Sequence, residues 1–254
     1  MCYDIKASLE AQLKRARHYG NEQAIEEIIE KLLPYSDLPS YHVSGFSHPR
    51  LFIYPDKTPY QPILAYWGLI PSWIKDRSQV KKYWNNTLNA RGETIFEKPS
   101  FRDAAKKNRC LFIIDGFYEH HHYKGKTFPF YVSRRDNVPM SLAGLWSEWI
   151  DKSTGEVVTT FTIITTEANP LLRKIHNNPK LKGPRMPVIL SGEAAENWLK
   201  PLNEQEDSTK LKDLLKPYPV EVLKAHTVQR LRGRNYPGNI KSITEEVEYK
   251  ELDF

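Results

Sequence analysis

A chain of 254 residues, 40% of them hydrophobic and 27% charged, can bury a sizeable core as one large domain or two small ones. No apolar run is long enough to span a bilayer, which excludes a helical membrane protein. Two cysteines argue against a disulfide framework and for a reducing compartment, and the net charge of +6 suits a polyanionic partner without identifying one.

Cys2 is the first informative position. If Met1 is removed, Cys2 carries an α-amine and a thiol on adjacent carbons, a pair that no internal residue offers. The amine titrates near ~8 and the thiol near ~8.5, so a useful minority of each is nucleophilic at neutral pH. The amine can condense with an aldehyde to an imine, and the thiol can close a thiazolidine ring on the same carbon. The alternative is an ordinary chain terminus. The N-terminus lacks the charged-then-apolar layout of a secretory signal, so a cytoplasmic protein is expected.

Residues 8–33 are predicted as one long helix or a broken pair, with Leu9, Leu13, Ala16, Ile25, Ile28, Ile29 and Leu32 at helical spacing. Gly20-Asn21 is the expected break and Pro34 the stop. Residues 35–62 read as surface loop with a short strand at 50–54. From residue 63 the texture is β, with strands predicted at 63–69, 110–118, 128–132, 141–150, 157–166, 186–189 and 220–225. Helices are predicted at 95–107, 169–175, 193–200 and 208–215. Strands in runs with helices set apart argue for an α+β fold with a mainly antiparallel sheet, built as a single domain over 1–254. The acidic stretch 244–254 reads as a terminal strand or a loose tail.

Four segments hold polar or aromatic groups where a core does not need them. Trp67-Gly68-Leu69-Ile70-Pro71-Ser72-Trp73 is either a packed corner or an aromatic wall on which an unpaired base stacks. Asn89-Ala90-Arg91-Gly92-Glu93 reads as a turn whose side chains satisfy loop backbone or contact phosphate. Glu119 stands at the end of the largely apolar strand predicted over 110–118, in Ile114-Asp115-Gly116-Phe117-Tyr118-Glu119-His120, and an unpaired buried carboxylate is costly, so it should face a pocket or a cation. His176, ahead of Arg185-Met186-Pro187, either caps a helix dipole or moves protons.

In order and combination these segments, with Met1-Cys2 and Ser141-Leu142-Ala143-Gly144-Leu145-Trp146, resemble the SOS-response-associated peptidase (SRAP) family from Met1 to about Ala225. The resemblance implies an SRAP-type domain with a twisted, barrel-like sheet and flanking helices. It implies a protein that senses abasic sites in single-stranded DNA during the damage response and shields them through a thiazolidine cross-link. Carried over by position, Cys2 is the nucleophile, Asn89 holds the N-terminus or the sugar, and Glu119 is the general acid/base. His176 moves protons in ring opening or reversal. Arg91 clamps a flanking phosphate. Beyond what is carried over, Trp67, Trp73, Lys180, Lys182 and Arg185 are expected from their residue types as further DNA contacts. No cofactor or metal is implied, and a monomer, nucleoid-associated when bound to DNA, is the default.

Three departures stand out. The family's Cys-Gly-Arg start is Cys2-Tyr3-Asp4 here, which removes a phosphate contact and adds an acid. The Trp that commonly comes after the Glu is His120, so an aromatic wedge against the bases is either absent or replaced by Phe117 or Tyr118, and the accompanying loop, Val43-Ser44-Gly45-Phe46, lacks its proline. An insertion at 177–184 brings Lys180 and Lys182, either to reach the DNA backbone in compensation or as a solvated surface loop. His120-His121-His122 alternates faces on a strand and cannot gather on one metal ion. Cys110 reads as a small buried hydrophobe. Two other functions compete with the first: an N-terminal-nucleophile peptidase that processes itself, and a non-covalent single-strand binder.

Overall fold

The computed structural model describes residues 2–202 and 205–254, without the side chains of 205–208. The chain enters as a short strand, β1 (Asp4–Ala7), and turns at Ser8 into helix α1 (Leu9–His18). The Ser8 hydroxyl accepts from the Ala11 amide at 3.1 Å, which caps the helix. Its own amide and hydroxyl donate to the Asp115 carboxylate at 2.7 and 2.9 Å, so one acid pins the exit from β1. The break at Gly20-Asn21 is present: Gly20 has φ of +62° and Asn21 caps α2 (Glu22–Glu26). A π-helical turn (Glu27–Leu32) comes next, and Pro34 lies in the 3₁₀ turn that ends the segment.

The remaining strands are β2 (Ser40–Ser44), β3 (Arg50–Pro55), β4 (Ile63–Trp67), β5 (Asn89–Arg91), β6 (Arg109–Ile114) and β7 (Gly116–Tyr123). They continue as β8 (Lys126–Arg134), β9 (Met140–Ile150), β10 (Val157–Glu167), β11 (Arg185–Pro187), β12 (Ile189–Leu190) and β13 (Leu223–Thr227). Strands β4, β3, β6, β9 and β10 close a barrel, each antiparallel to the next except that β10 returns parallel to β4. Closure leaves these strands no free edge. β5, β11 and β12 lengthen the barrel wall. A second, antiparallel sheet runs β13-β8-β7-β1-β2.

The mainly antiparallel prediction therefore holds, with two parallel pairings, β10 to β4 and β10 to β5. The expected strand over 110–118 is two strands, because the chain crosses from barrel to sheet at Asp115. The crossing requires glycine: a Cβ on Gly116 would lie 2.4 Å from the Tyr131 ring. The expected turn at 89–93 begins as β5, held by parallel pairing to Ile163–Thr165.

Helices α3 (Arg77–Tyr83), α4 (Arg102–Lys107), α5 (Pro170–Ile175), α6 (Glu193–Leu199) and α7 (Gln205–Leu214) flank the sheets. The helix predicted over 95–107 is thus only its last part. Among the described residues no helix is long and apolar enough to cross a membrane. The 244–254 stretch packs down rather than hanging loose. The Val247 amide donates to the Thr227 carbonyl at 2.9 Å, and the Phe254 ring lies 4.4 Å from that of Phe130.

The principal core joins both sheets. Trp67, Phe112 and Phe161 meet at centroid distances of 5.0–6.4 Å, in one apolar cluster with Cys2, Ile5, Phe117 and Phe130. This corrects the stacking role expected of Trp67: it has no exposed surface, and its Nε1 donates to the Leu88 carbonyl at 2.8 Å. The corner after it is a packed one, where Gly68 has φ of +119° and a Cβ would strike the Trp84 ring. Phe117 and Tyr118 are equally buried and cannot replace a wedge against DNA bases. Trp73 is 43% exposed, edge-on to Tyr83.

Candidate active site

Cys2 precedes β1, and β1 pairs antiparallel with β7 so that Asp4 lies opposite Tyr118. Running that register back toward the terminus carries Cys2 past the Glu119-His120 step. The Cys2 side chain is buried, and its carbonyl accepts from Asn89 Nδ2 at 2.8 Å. The edge strand β5 thus brings Asn89 to the N-terminus. Among the described residues the Asn89 Oδ1 is buried with no hydrogen-bond donor, a cost of about 1–3 kcal/mol that an incoming N–H would relieve.

Glu119 and His176 are both buried and meet with Oε2 and Nδ1 3.5 Å apart. Glu119 is steadied by the His120 amide, which donates to its Oε1 at 3.0 Å. His176 caps the C-terminal end of α5, a helix started by Asn169, whose side chain accepts from the Leu172 amide, and by Pro170. The His176 Nδ1 sits 3.0 Å from the Arg185 carbonyl oxygen and 3.2 Å from its amide nitrogen. Protonated there, it donates to the carbonyl; unprotonated, it accepts from the amide. Either state of that nitrogen has a partner, which suits a group that passes a proton.

Burial pushes the Cys2 thiol far above its ordinary range, and the nearby Glu119 carboxylate adds to that effect. The thiol is therefore held protonated and must lose its proton during a reaction rather than before it. Burial also lowers the His176 ring below the ordinary 6.5, with Glu119 opposing. A ring whose charged form is disfavoured by burial stays neutral down to more acidic pH. An NMR titration is expected to place its midpoint below 6.5, and Glu119→Gln, which removes the opposing charge, is expected to move it lower still. A midpoint above 6.5 would contradict this electrostatic picture.

The structure separates the DNA contacts expected from sequence. Arg91 and Lys182 come together with Arg173 around a cleft of about 270 Å3. Lys180 is exposed on the same 177–184 loop. Its base is fixed by Asn177, which accepts from the His122 amide at 2.7 Å and donates to the His122 carbonyl at 2.9 Å. Arg185 is corrected. Its guanidinium is buried against β10, donating to both Glu93 oxygens at 3.0 and 2.7 Å and to the Thr165 carbonyl at 2.8 Å. That pairing, although burial opposes it, holds the Glu93 carboxyl below its usual value. Arg185 builds the barrel edge, and its backbone, not its side chain, serves His176. Trp73 does not line the cavity beside Glu119 and His176.

Sequence reasoning missed the segment after β13. Arg230-Leu231-Arg232 lines the same cavity, and Arg232 bonds Asp4. The readable signal was the alternation of arginines at 230, 232 and 234.

A family profile described as "SOS response associated peptidase (SRAP)" matches residues 7–234. "Abasic site processing protein YoqW" of Bacillus subtilis (strain 168) is 37% identical over 205 residues, 80% of this chain and 85% of that protein. "Abasic site processing protein HMCES" of Pongo abelii is 32% identical over 222 residues, 74% of this chain and 60% of that protein. A protein from Bacteroides thetaiotaomicron solved by X-ray crystallography superposes with a TM-score of 0.78 at 32% identity, over 97% of this chain and 100% of that one.

Proposed function

Since this chain belongs to the SOS response associated peptidase (SRAP) family, we propose that it captures abasic sites in single-stranded DNA as a covalent thiazolidine on Cys2 and so shields them in the DNA damage response. The observation that carries this reading is the seat of Cys2. Its carbonyl is held by Asn89, whose second polar atom lacks a donor among the described residues, and its thiol feels the carboxylate of the Glu119–His176 pair.

The chemistry needs the α-amine of Cys2 free, hence Met1 removed; Met1 lies outside the described residues. The amine attacks C1′ of the ring-opened sugar aldehyde to give a carbinolamine. Its hydroxyl leaves as water with a proton from the Glu119–His176 pair, forming the protonated imine. The thiol sulfur then adds to the same carbon and returns a proton to the pair. One water is lost overall and no oxidant is consumed. The Asn89 Oδ1, without a donor among the described residues, supplies an acceptor for the amine hydrogens and aims the nitrogen lone pair. Arg91, together with Lys180 and Lys182 of the 177–184 loop, holds flanking phosphates. Exposed Trp73 offers a face to a more distant base.

The test is denaturing electrophoresis after mixing the protein with a single-stranded oligonucleotide carrying one abasic site, beside the same oligonucleotide intact. A band that survives denaturation with the abasic strand alone is expected. Its absence from a preparation lacking Met1 would end the covalent reading and return the family's peptidase name to first place.

A further inference from the structure

The cavity that Glu119 and His176 border has a volume of about 440 Å3 and continues to a wall formed by Arg230 and Arg232. We infer that this arm is a subsite for the sugar-phosphate of a nucleotide flanking the captured sugar, with Arg230 and Arg232 as its phosphate contacts. The inference rests on the capture proposed at Cys2.

Each guanidinium is held from behind. One terminal nitrogen of Arg232 donates to both Asp4 oxygens, at 3.1 and 2.8 Å. The Asp4 side chain is 4% exposed and that of Arg232 59%. An ion pair with a purely internal role buries both partners; this one buries only the acid and presents the cation. Asp4 is itself fixed by His42 Nε2 at 3.2 Å, and His42 Nδ1 lies 2.7 Å from the Tyr236 hydroxyl. Although burial opposes it, the His42 hydrogen bond and Arg232 hold the Asp4 carboxyl below its ordinary value, so the anchor stays charged at neutral pH.

Arg230 is held differently. It donates to the Thr127 carbonyl and lies 5.6 Å from the ring centroids of both Phe128 and Tyr249. A guanidinium carries five N–H donors, and each of these two has one terminal nitrogen engaged among the described residues. The donors left over, in a planar fork fixed in place, match a phosphate. Leu231, Pro129 and Tyr3 give the same arm an apolar side for a sugar or base.

The placement also gives the strand a path. Asn178 and Leu181 line this cavity, while Lys182 and Gly183 line the cleft of Arg91 and Arg173. The 177–184 loop is the partition between two cationic walls with Glu119 and His176 beside it. A single strand crossing that loop meets arginine on both sides of the reacting sugar. The acid at Asp4 then serves to hold Arg232 in position at the mouth of this arm.

The test is reversible binding of a single-stranded oligonucleotide with a tetrahydrofuran site, which lacks the aldehyde, by fluorescence anisotropy over a salt series. Each phosphate contact on a single strand contributes about 0.7 to the slope of log K against log salt. Arg230→Gln/Arg232→Gln is expected to flatten the slope by about 1.4, and Arg230→Gln, which leaves the Asp4 pair intact, by about 0.7. Arg232→Lys, which keeps the charge, is expected to retain the native slope and thereby separates charge from folding. A double variant with the native slope would overturn the subsite. Covalent capture by the native protein, run in parallel, judges the Cys2 reading separately: capture with an unchanged slope sinks only the subsite. A flattened slope without capture sinks only the thiazolidine.

Discussion

Cys2→Ala is expected to abolish the denaturation-resistant adduct with abasic single-stranded DNA altogether, while reversible binding of the same strand persists. The variant keeps the α-amine, so an imine can still form, but an imine hydrolyses when the protein unfolds. Only the thiol converts it into a ring. Alanine fits the Cys2 site, which is apolar and packed with Ile5 and Phe117, so the loss is chemical and not a loss of fold. Cys110→Ala is the matched control. Cys110 lies in the barrel strand β6 against Gly144, and burial, then Asp56, pushes its thiol well above the ordinary range. It is expected to leave the adduct intact. A Cys2→Ala protein that still forms the stable band would move the chemistry to another nucleophile.

The second large effect is at Glu119. Glu119→Gln is expected to slow single-turnover capture by about 10²–10⁴-fold, the contribution of a general acid/base. Two effects of this change oppose each other. Removing the carboxylate lowers the Cys2 thiol pKa, which favours the thiolate, but burial is the larger cause of that shift and remains. The same change removes the group that gives a proton to the departing water and takes one from sulfur. The loss of proton transfer wins, so the rate falls. Glutamine keeps an oxygen for the His120 amide, so the local frame is preserved. A rate within a few-fold of native would leave His176 as the sole proton carrier.

Much of the scaffold was legible because its strands are long and rich in β-branched and aromatic residues. β8, β9 and β10 fall where the pattern placed them, and so does the Gly20-Asn21 break. The short strands were not. Asp4–Ala7, Ser40–Ser44 and Asn89–Arg91 are three to five residues long and partly polar, and they are strands only because neighbouring edges complete their hydrogen bonds. Pairings far apart in sequence, such as the parallel contact of β10 with β4, leave no local periodicity.

The site divides in the same way. Cys2, Asn89, Glu119 and His176 were singled out by chemistry and order, and the fold brings Asn89 to Cys2 and Glu119 to His176. Trp67 and Arg185 misled because residue type does not reveal exposure. An indole reads alike in a core and on a stacking wall, and an arginine reads alike whether it meets phosphate or Glu93. Arg232 went unnoticed because what gives it meaning is Asp4, more than two hundred residues earlier in the chain, and Arg230 because its partners Thr127 and Phe128 lie about a hundred residues earlier.

The central claim, a thiazolidine at the N-terminus, is tested most directly by intact mass of the purified adduct and then thiol alkylation under denaturing conditions. The expected mass is that of the chain without Met1 plus the oligonucleotide, less one water, with Cys110 alkylated and Cys2 protected. An adduct that retains Met1, or one in which the Cys2 thiol still alkylates, would contradict it.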